Sequence, residues 1–431
     1  MPIPICSFSQ YKDNHPRPAL SDYIEEREQV RLIIDRVREK GDLALKEYTL
    51  RFDGAELDHF RVPPAAFSAA LENVDGRMSE AIGRAKSNIE KFHRNQLSSS
   101  WWHSGPGWIS GQRRLPLERV GIYIPGGTAP YPSSVLMTAV PARVAGVEEI
   151  YICTPPSKDG TINSLTLAAA WAAGVSAVFM VGGAQAVAAM AYGTETIPAV
   201  QKIVGPGNLY VTLAKREVYG QVGIDMLAGP SEIVIVADSE ANPAYIAADL
   251  LSQAEHDPLS RAILITASPE LPVKVREELI VQLNRLPRKE TAARSLQEQG
   301  AIITVSSLDE AWPVVNNLAP EHLELHLADA WRYIDRVRNA GAIFVGPYTP
   351  ESVGDYWAGS SHVLPTNGTA RYASALGVAD FVRSTHILSY TAEALHEAAP
   401  YIEDLAGAEG FDAHARAVSM RRRKDGPHSP D

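Results

Sequence analysis

The sequence predicts an α/β protein built on two mainly parallel sheets. Three observations lead there. Past Arg119, short β-rich runs recur, and helical segments of about ten to fifteen residues separate most of them, the rhythm of βαβ units. The eight runs are accommodated better by two sheets than by one. At 431 residues the chain is too long for one simple core, so two or more domains are expected.

In chain order, the first twenty or so residues are polar and proline-rich without periodicity, which predicts an arm packed on something else. From Glu25 to about Tyr48, apolar positions Val30, Ile33, Ile34, Val37, Leu43 and Leu45 predict helices broken at Gly41. A further helical stretch, 81–92, precedes Trp101-Trp102. The β-rich runs are 120–124, 150–153, 177–181, 203–204, 233–237, 262–266, 301–305 and 342–345. Between the fifth and sixth lies a helix with clear ends. Asn242 suits the N-cap and Pro243 the first helical position. Ile246, Ala247 and Leu250 supply a buried face, and Asp257 before Pro258 must leave the helical region. Gln253 and His256, three residues apart, are therefore expected on one face of its last turn, at the mouth of a βα unit.

The composition, 45% hydrophobic and 21% charged, is that of an ordinary globular protein. A formal net charge of −11 disfavours nucleic acid or an anionic membrane as partner. Only Arg421-Arg422-Arg423-Lys424 is locally basic, and it runs into a tail of frayed character. Two cysteines make no disulfide framework and suggest a reducing compartment; Cys153 reads as a core thiol. No apolar signal segment opens the chain, and charge or proline interrupts every long apolar stretch, so a cytoplasmic location is expected, or a plastidial one after removal of a transit peptide.

Several segments have chemical potential. Gly126-Gly127, Gly182-Gly183-Ala184-Gln185 and Gly205-Pro206-Gly207-Asn208 each follow a β-run and precede a helix, where free backbone N–H groups can cradle a pyrophosphate. No GxGxxG fingerprint accompanies them, and turns use glycine anyway. Gln253 and His256 offer an amide oxygen and an imidazole to a metal. Adjacent Glu321 and His322 could share proton work or merely form a polar turn. Asp355, in Pro350-Glu351-Ser352-Val353-Gly354-Asp355-Tyr356, fits a hard oxygen ligand or a helix cap, and His362 follows in a pocket-like segment. Glu409 and His414 sit in a late helix that by itself reads as surface.

Together these segments closely resemble histidinol dehydrogenase, the zinc enzyme that ends histidine biosynthesis. The resemblance spans nearly the whole chain. It rests on Val120-Gly121-Ile122-Tyr123-Ile124-Pro125-Gly126-Gly127, Val181-Gly182-Gly183-Ala184-Gln185-Ala186, Val204-Gly205-Pro206-Gly207-Asn208 and Ala228-Gly229-Pro230-Ser231-Glu232, with the Gln253/His256 pair, Pro320-Glu321-His322, 351–356 and 362–366. It implies two incomplete Rossmann-like parallel-sheet domains, a small N-terminal arm and a helical C-terminal extension. The corresponding partition is 1–25 for the arm, 26–122 with 231–376 for the domain carrying most of the site, 123–230 for an inserted NAD-binding domain, and 377–431 for the extension.

By resemblance, one zinc per subunit falls to Gln253, His256, Asp355 and His414. The catalytic pair is Glu321 and His322: His322 takes the hydroxyl proton as hydride leaves, and Glu321 activates the water that hydrates an aldehyde-level intermediate. NAD contacts fall on Tyr123, Gln185 and Asn208, and substrate contacts on Ser231, Gln253, His256, His322, Asp355, Glu409 and His414. The implied reaction is oxidation of L-histidinol to L-histidine with two NAD, in a homodimer whose C-terminal segments complete each other's sites. The alternative is a related zinc/NAD dehydrogenase of another polar diol, such as 2,3-dihydroxypropane-1-sulfonate. A non-catalytic paralogue and a zinc-free aldehyde dehydrogenase are more distant possibilities; neither cysteine looks like an activated nucleophile.

Overall fold

The computed structural model describes residues 3–17, 19–70, 72–126 and 130–422. Gly127 and residues 423–431, which include part of the basic run and the tail, lie outside the described residues. The chain divides into two compact units, Met1–Gln96 with Leu117–Phe381, and Leu97–Pro116 with Val382–Asp431.

The first unit contains two all-parallel sheets. The larger runs, from one edge, Ile5–Cys6, Ala301–Thr304, Arg261–Thr266, Glu232–Ala237, His322–His326 and Ala342–Val345. Its central strands, EIVIVA and RAILIT, are buried at every position, as parallel strands covered on both faces must be. The smaller sheet runs Ala177–Met180, Glu149–Thr154, Arg119–Tyr123, Lys202–Val204 and Gly223–Ile224. All eight predicted runs are strands, within a residue or so at their ends.

Strand His322–His326 lies outside the eight predicted runs, although Leu323-Glu324-Leu325-His326-Leu327 alternates in sequence. Its Leu323 and Leu325 pack among Val234, Val236, Ile263 and Ile265, so His322, Glu324 and His326 occupy the opposite face. The polar face is buried as well as the apolar one, so the alternation does not mark an inside and an outside.

The arm is more regular than expected. Ile5–Cys6 adds an edge strand beside Ala301–Thr304, and Ser7 opens helix Phe8–Asn14 through a capping box with Gln10. A two-residue strand is too short to leave a sequence period.

The predicted partition also differs from the packing. Helix Ile24–Lys40 lies on helices Gly183–Tyr192 and Leu209–Val218, and its Val30, Ile33, Ile34 and Val37 join the core of the smaller sheet. Strand Arg119–Tyr123 belongs to that sheet too, so a boundary between 122 and 123 would cut a strand. The helix break at Gly41 is present, at φ +53°.

In the second unit, Trp101–Gly105, Trp108–Pro116 and Val382–Tyr390 form an antiparallel sheet, and helices Ala392–Ala408 and Asp412–Arg422 pack on each other. The described part of the predicted extension, 377–422, is therefore not helical throughout: strand Val382–Tyr390 precedes its two helices. Among the described residues no helix is long and apolar enough to cross a membrane.

Candidate active site

Three elements of the first unit converge at the amino ends of strands Glu232–Ala237 and His322–His326, not at the expected mouth of a βα unit. Helix Pro243–Ala254 runs back along the sheet and brings its last turn there. The first is helix Pro243–Ala254. Asn242 caps it, its Oδ1 accepting the Ala244 N–H at 2.9 Å, and Pro243 takes the first turn. Gln253 is in the last turn and fully buried. His256 is not helical: it lies in the turn beyond, donating its backbone N–H to the Gln253 carbonyl at 3.3 Å. The helix closes earlier than expected because Asp257 starts a turn of its own, accepting the Leu259 N–H on Oδ1 at 2.8 Å.

The second element is the start of strand His322–His326, preceded by Glu321. The third is the short helix Glu351–Tyr356, whose Glu351 and Asp355 share one face at i, i+4 spacing. Around His322 Nδ1 stand Gln253 Oε1 at 3.1 Å, the Glu232 carbonyl at 3.2 Å and Glu351 Oε1 at 3.3 Å. Three acceptors at one ring nitrogen place the proton there, and the neutral ring then keeps its lone pair on Nε2. Burial lowers this imidazole to about 3, so it is neutral at physiological pH.

Glu321 Oε2 accepts the Glu232 N–H at 3.0 Å and also meets the Ser231 side chain. Enclosure pushes the carboxyl well above the usual range. Burial likewise raises Asp355, to about 7, and lowers His362, to about 4; His362 Nδ1 is 3.8 Å from Asp355 Oδ1. Ligand atoms of His256, Glu351 and Asp355 all lie within 4.8 Å of one another. A cleft of about 510 Å³ brings Asn208, Ser231, His256, Glu321 and His362 onto one wall system.

On the smaller sheet, Tyr123 ends its strand and accepts the Gly183 N–H on its phenol oxygen at 3.1 Å; burial lifts that phenol to about 12. Gln185 is buried in the first turn of helix Gly183–Tyr192, with Oε1 lacking a hydrogen-bond partner. Asn208 caps helix Leu209–Val218, accepting the Val211 N–H at 3.1 Å. Gly205 is required here: φ is +110°, and a Cβ would stand 2.2 Å from the Tyr123 carbonyl oxygen. Its N–H donates to Asp225 Oδ2 at 2.8 Å, and Asp225 pairs with buried Lys215. A second cavity, of about 540 Å³, opens beside Phe52, Asp53, Gly126, Pro155 and Lys158.

Ser231, Gln253, His256, Glu321, His322 and Asp355 are thus brought together, while Tyr123 and Gln185 meet around Gly183. Glu409 and His414 are exposed residues of the second unit, Glu409 ending helix Ala392–Ala408 and His414 lying against Phe411 at 5.3 Å between centroids. The sequence reading overlooked Glu351 as a site residue, although it stands four before Asp355. It overlooked Asp249, Glu324 and His326 as well. Cys153 is fully buried, and burial pushes its thiol up, which leaves it no role as a nucleophile.

The profile of the histidinol dehydrogenase family matches residues 17–422. Histidinol dehydrogenase of Moorella thermoacetica is 54% identical over 395 residues, 91% of this chain and 93% of the relative. That of Geobacillus kaustophilus is 52% identical, covering 93% and 95%. The crystal structure of histidinol dehydrogenase from Elizabethkingia anophelis superposes with a TM-score of 0.90 at 39% identity, over 97% of this chain and 96% of that one. These matches lend no support to the sulfonated-diol alternative. The profile over nearly the whole chain, relatives above half identity and the shared architecture establish that the chain belongs to the histidinol dehydrogenase family.

Proposed function

We propose that this chain oxidises L-histidinol through L-histidinaldehyde to L-histidine with two NAD. The observation that carries the reading is His322: its Nδ1 is held by three oxygens, Gln253 Oε1 among them, with Glu321 Oε2 3.9 Å away, which leaves Nε2 as the ring's free nitrogen.

The donor set suits zinc. It combines an amide oxygen, an imidazole and a carboxylate, and buried Glu351 and half-buried Asp355 are acids that a divalent cation would hold ionised. Gln253, His256 and Asp355 would hold it, with His414 from a second copy as fourth ligand. Zinc there supplies a fixed position for the substrate's nitrogens. NAD fits the smaller sheet, where the unpartnered Gln185 Oε1, Tyr123 and Asn208 face glycine turns at helix starts; it takes up the hydride.

The chain's own groups move the protons. His322 Nε2 accepts the hydroxyl proton as hydride leaves the carbinol carbon, giving the aldehyde. Glu321 then takes a proton from water as its oxygen adds to the aldehyde carbon, and His322 deprotonates the resulting hydrate as the second hydride leaves. One alcohol and one water become one carboxylate, with two NADH and three protons. Ser231 orients Glu321, and Glu409 from a second copy would meet the substrate's amino group. The active form is then a homodimer, acting in the cytoplasm.

The test is to supply purified, zinc-loaded protein with L-histidinol and NAD and follow NADH absorbance with metal analysis. Two NADH per histidinol and about one zinc per chain are expected from a closed mixed-ligand site. No NADH from histidinol would sink the reading.

A further inference from the structure

Behind His322, the same strand face carries Glu324 and His326, both buried. His326 Nε2 lies 3.1 Å from Glu324 Oε2 and 3.4 Å from Asp249 Oδ2. Burial works against charge on this ring, but the two hydrogen-bonded carboxylates more than offset it and lift it to about 9. Neither carboxylate ends there. Asp249 sits on helix Pro243–Ala254 one turn before Gln253. Glu324 uses its other oxygen, Oε1, to accept the backbone N–H of Glu351 at 2.7 Å.

That N–H opens the helix carrying Glu351 and Asp355. Helix Glu351–Tyr356 has only six residues, and Pro350 at its N-cap offers no side-chain hydrogen bond. So short a helix has little stability of its own, and its first N–H groups need an outside acceptor. Glu324 provides it from the neighbouring strand.

We infer that Asp249, His326 and Glu324 are positioning residues, a buried hydrogen-bonded clamp that holds the helix bearing Gln253 and the helix bearing Asp355 at the spacing of the metal site. The inference rests on the proposed metal-binding role of Gln253 and Asp355. A buried ion pair adds little net stability over apolar packing, but it fixes direction. Groups behind metal ligands act mainly on affinity.

Two variants at one position separate positioning from folding. His326→Leu removes both contacts; His326→Gln replaces the ring by an uncharged amide whose two N–H groups can still donate to the two carboxylates. Metal-free proteins are titrated with Zn²⁺ against a chromophoric chelator, and their thermal melts are recorded without metal. His326→Leu is expected to weaken zinc binding by about tenfold or more, and His326→Gln to restore it to within about threefold of wild type. Wild-type zinc affinity in His326→Leu overturns the inference, as does a loss in both variants that tracks their metal-free melting. If His326→Leu does not fold, Glu324→Leu decides by the same two readouts, since it spares the His326–Asp249 pair and removes the Glu324 contacts to His326 and to the Glu351 N–H. A wild-type protein that binds no zinc instead overturns the metal reading itself, and the clamp's role falls with it.

Discussion

Replacing Glu321 by Gln should divide the two oxidations. The carboxyl is enclosed, with Oε2 accepting the Glu232 N–H at 3.0 Å and the Ser231 side chain beside it. Glutamine preserves the volume and an oxygen for that N–H, so the fold is retained while the base is lost. A positioned general base contributes about 10²–10⁴-fold, which is about 2.7–5.5 kcal/mol of barrier. The alcohol step depends on His322 and should proceed normally; the aldehyde step should slow by that factor. In a stopped-flow single turnover with limiting histidinol, wild type releases two NADH and Glu321→Gln releases one, with the second delayed. The pH profile has a definite sign: burial holds this carboxyl high, so its base form grows as pH rises, and the second oxidation climbs with pH in wild type but not in the variant. Two NADH at the wild-type rate from Glu321→Gln would refute the role, as would equal slowing of both steps.

His322→Ala should lower hydride transfer by about 10²–10⁴-fold while zinc content by metal analysis stays near that of wild type; loss of zinc would make His322 a ligand. Asp53→Asn should stabilise the protein near pH 7.5. Burial raises Asp53 from 3.8 to about 6 without a partner for Oδ2, so the folded state is favoured while the acid is protonated and loses that advantage as pH rises through about 6. A rise of this size is worth about 3 kcal/mol, reduced to about 1–2 by partial exposure, so urea unfolding of variant and wild type should differ at pH 7.5 and converge near pH 4. Gly205→Ala should cost more than about 2 kcal/mol and weaken NADH binding measured by fluorescence, because the new methyl meets the Tyr123 carbonyl at a φ that side chains avoid; a wild-type melt would contradict this.

Local chemistry made much of the chain legible in sequence. The eight runs separated mostly by helical segments announced parallel sheets, Asn242-Pro243 marked a helix start, and Gly41 marked a break. Each depends on neighbours within a few residues. Less legible were the edge strand Ile5–Cys6, which exists only by hydrogen bonding to Ala301–Thr304, and the packing of Ile24–Lys40 on the smaller sheet, which depends on a core assembled from distant segments. Strand His322–His326 shows its alternation in sequence, but that its polar face is buried too is not legible there.

The same division holds at the site. The residue types and strings placed Glu321, His322, Gln253, His256 and Asp355 under suspicion, since the chemistry of acid, base and ligand is written in the side chains themselves. Which ring nitrogen of His322 is free, and that Glu351 stands against it, depended on three segments distant from His322 along the chain, those of Glu232, Gln253 and Glu351, meeting it at one point. So did the tie from Asp249 through His326 and Glu324 to the Glu351 N–H. Sequence determined the parts and their local conformation; tertiary structure alone decided their partners, because hydrogen bonds and burial act across distances in space that the order of residues does not encode.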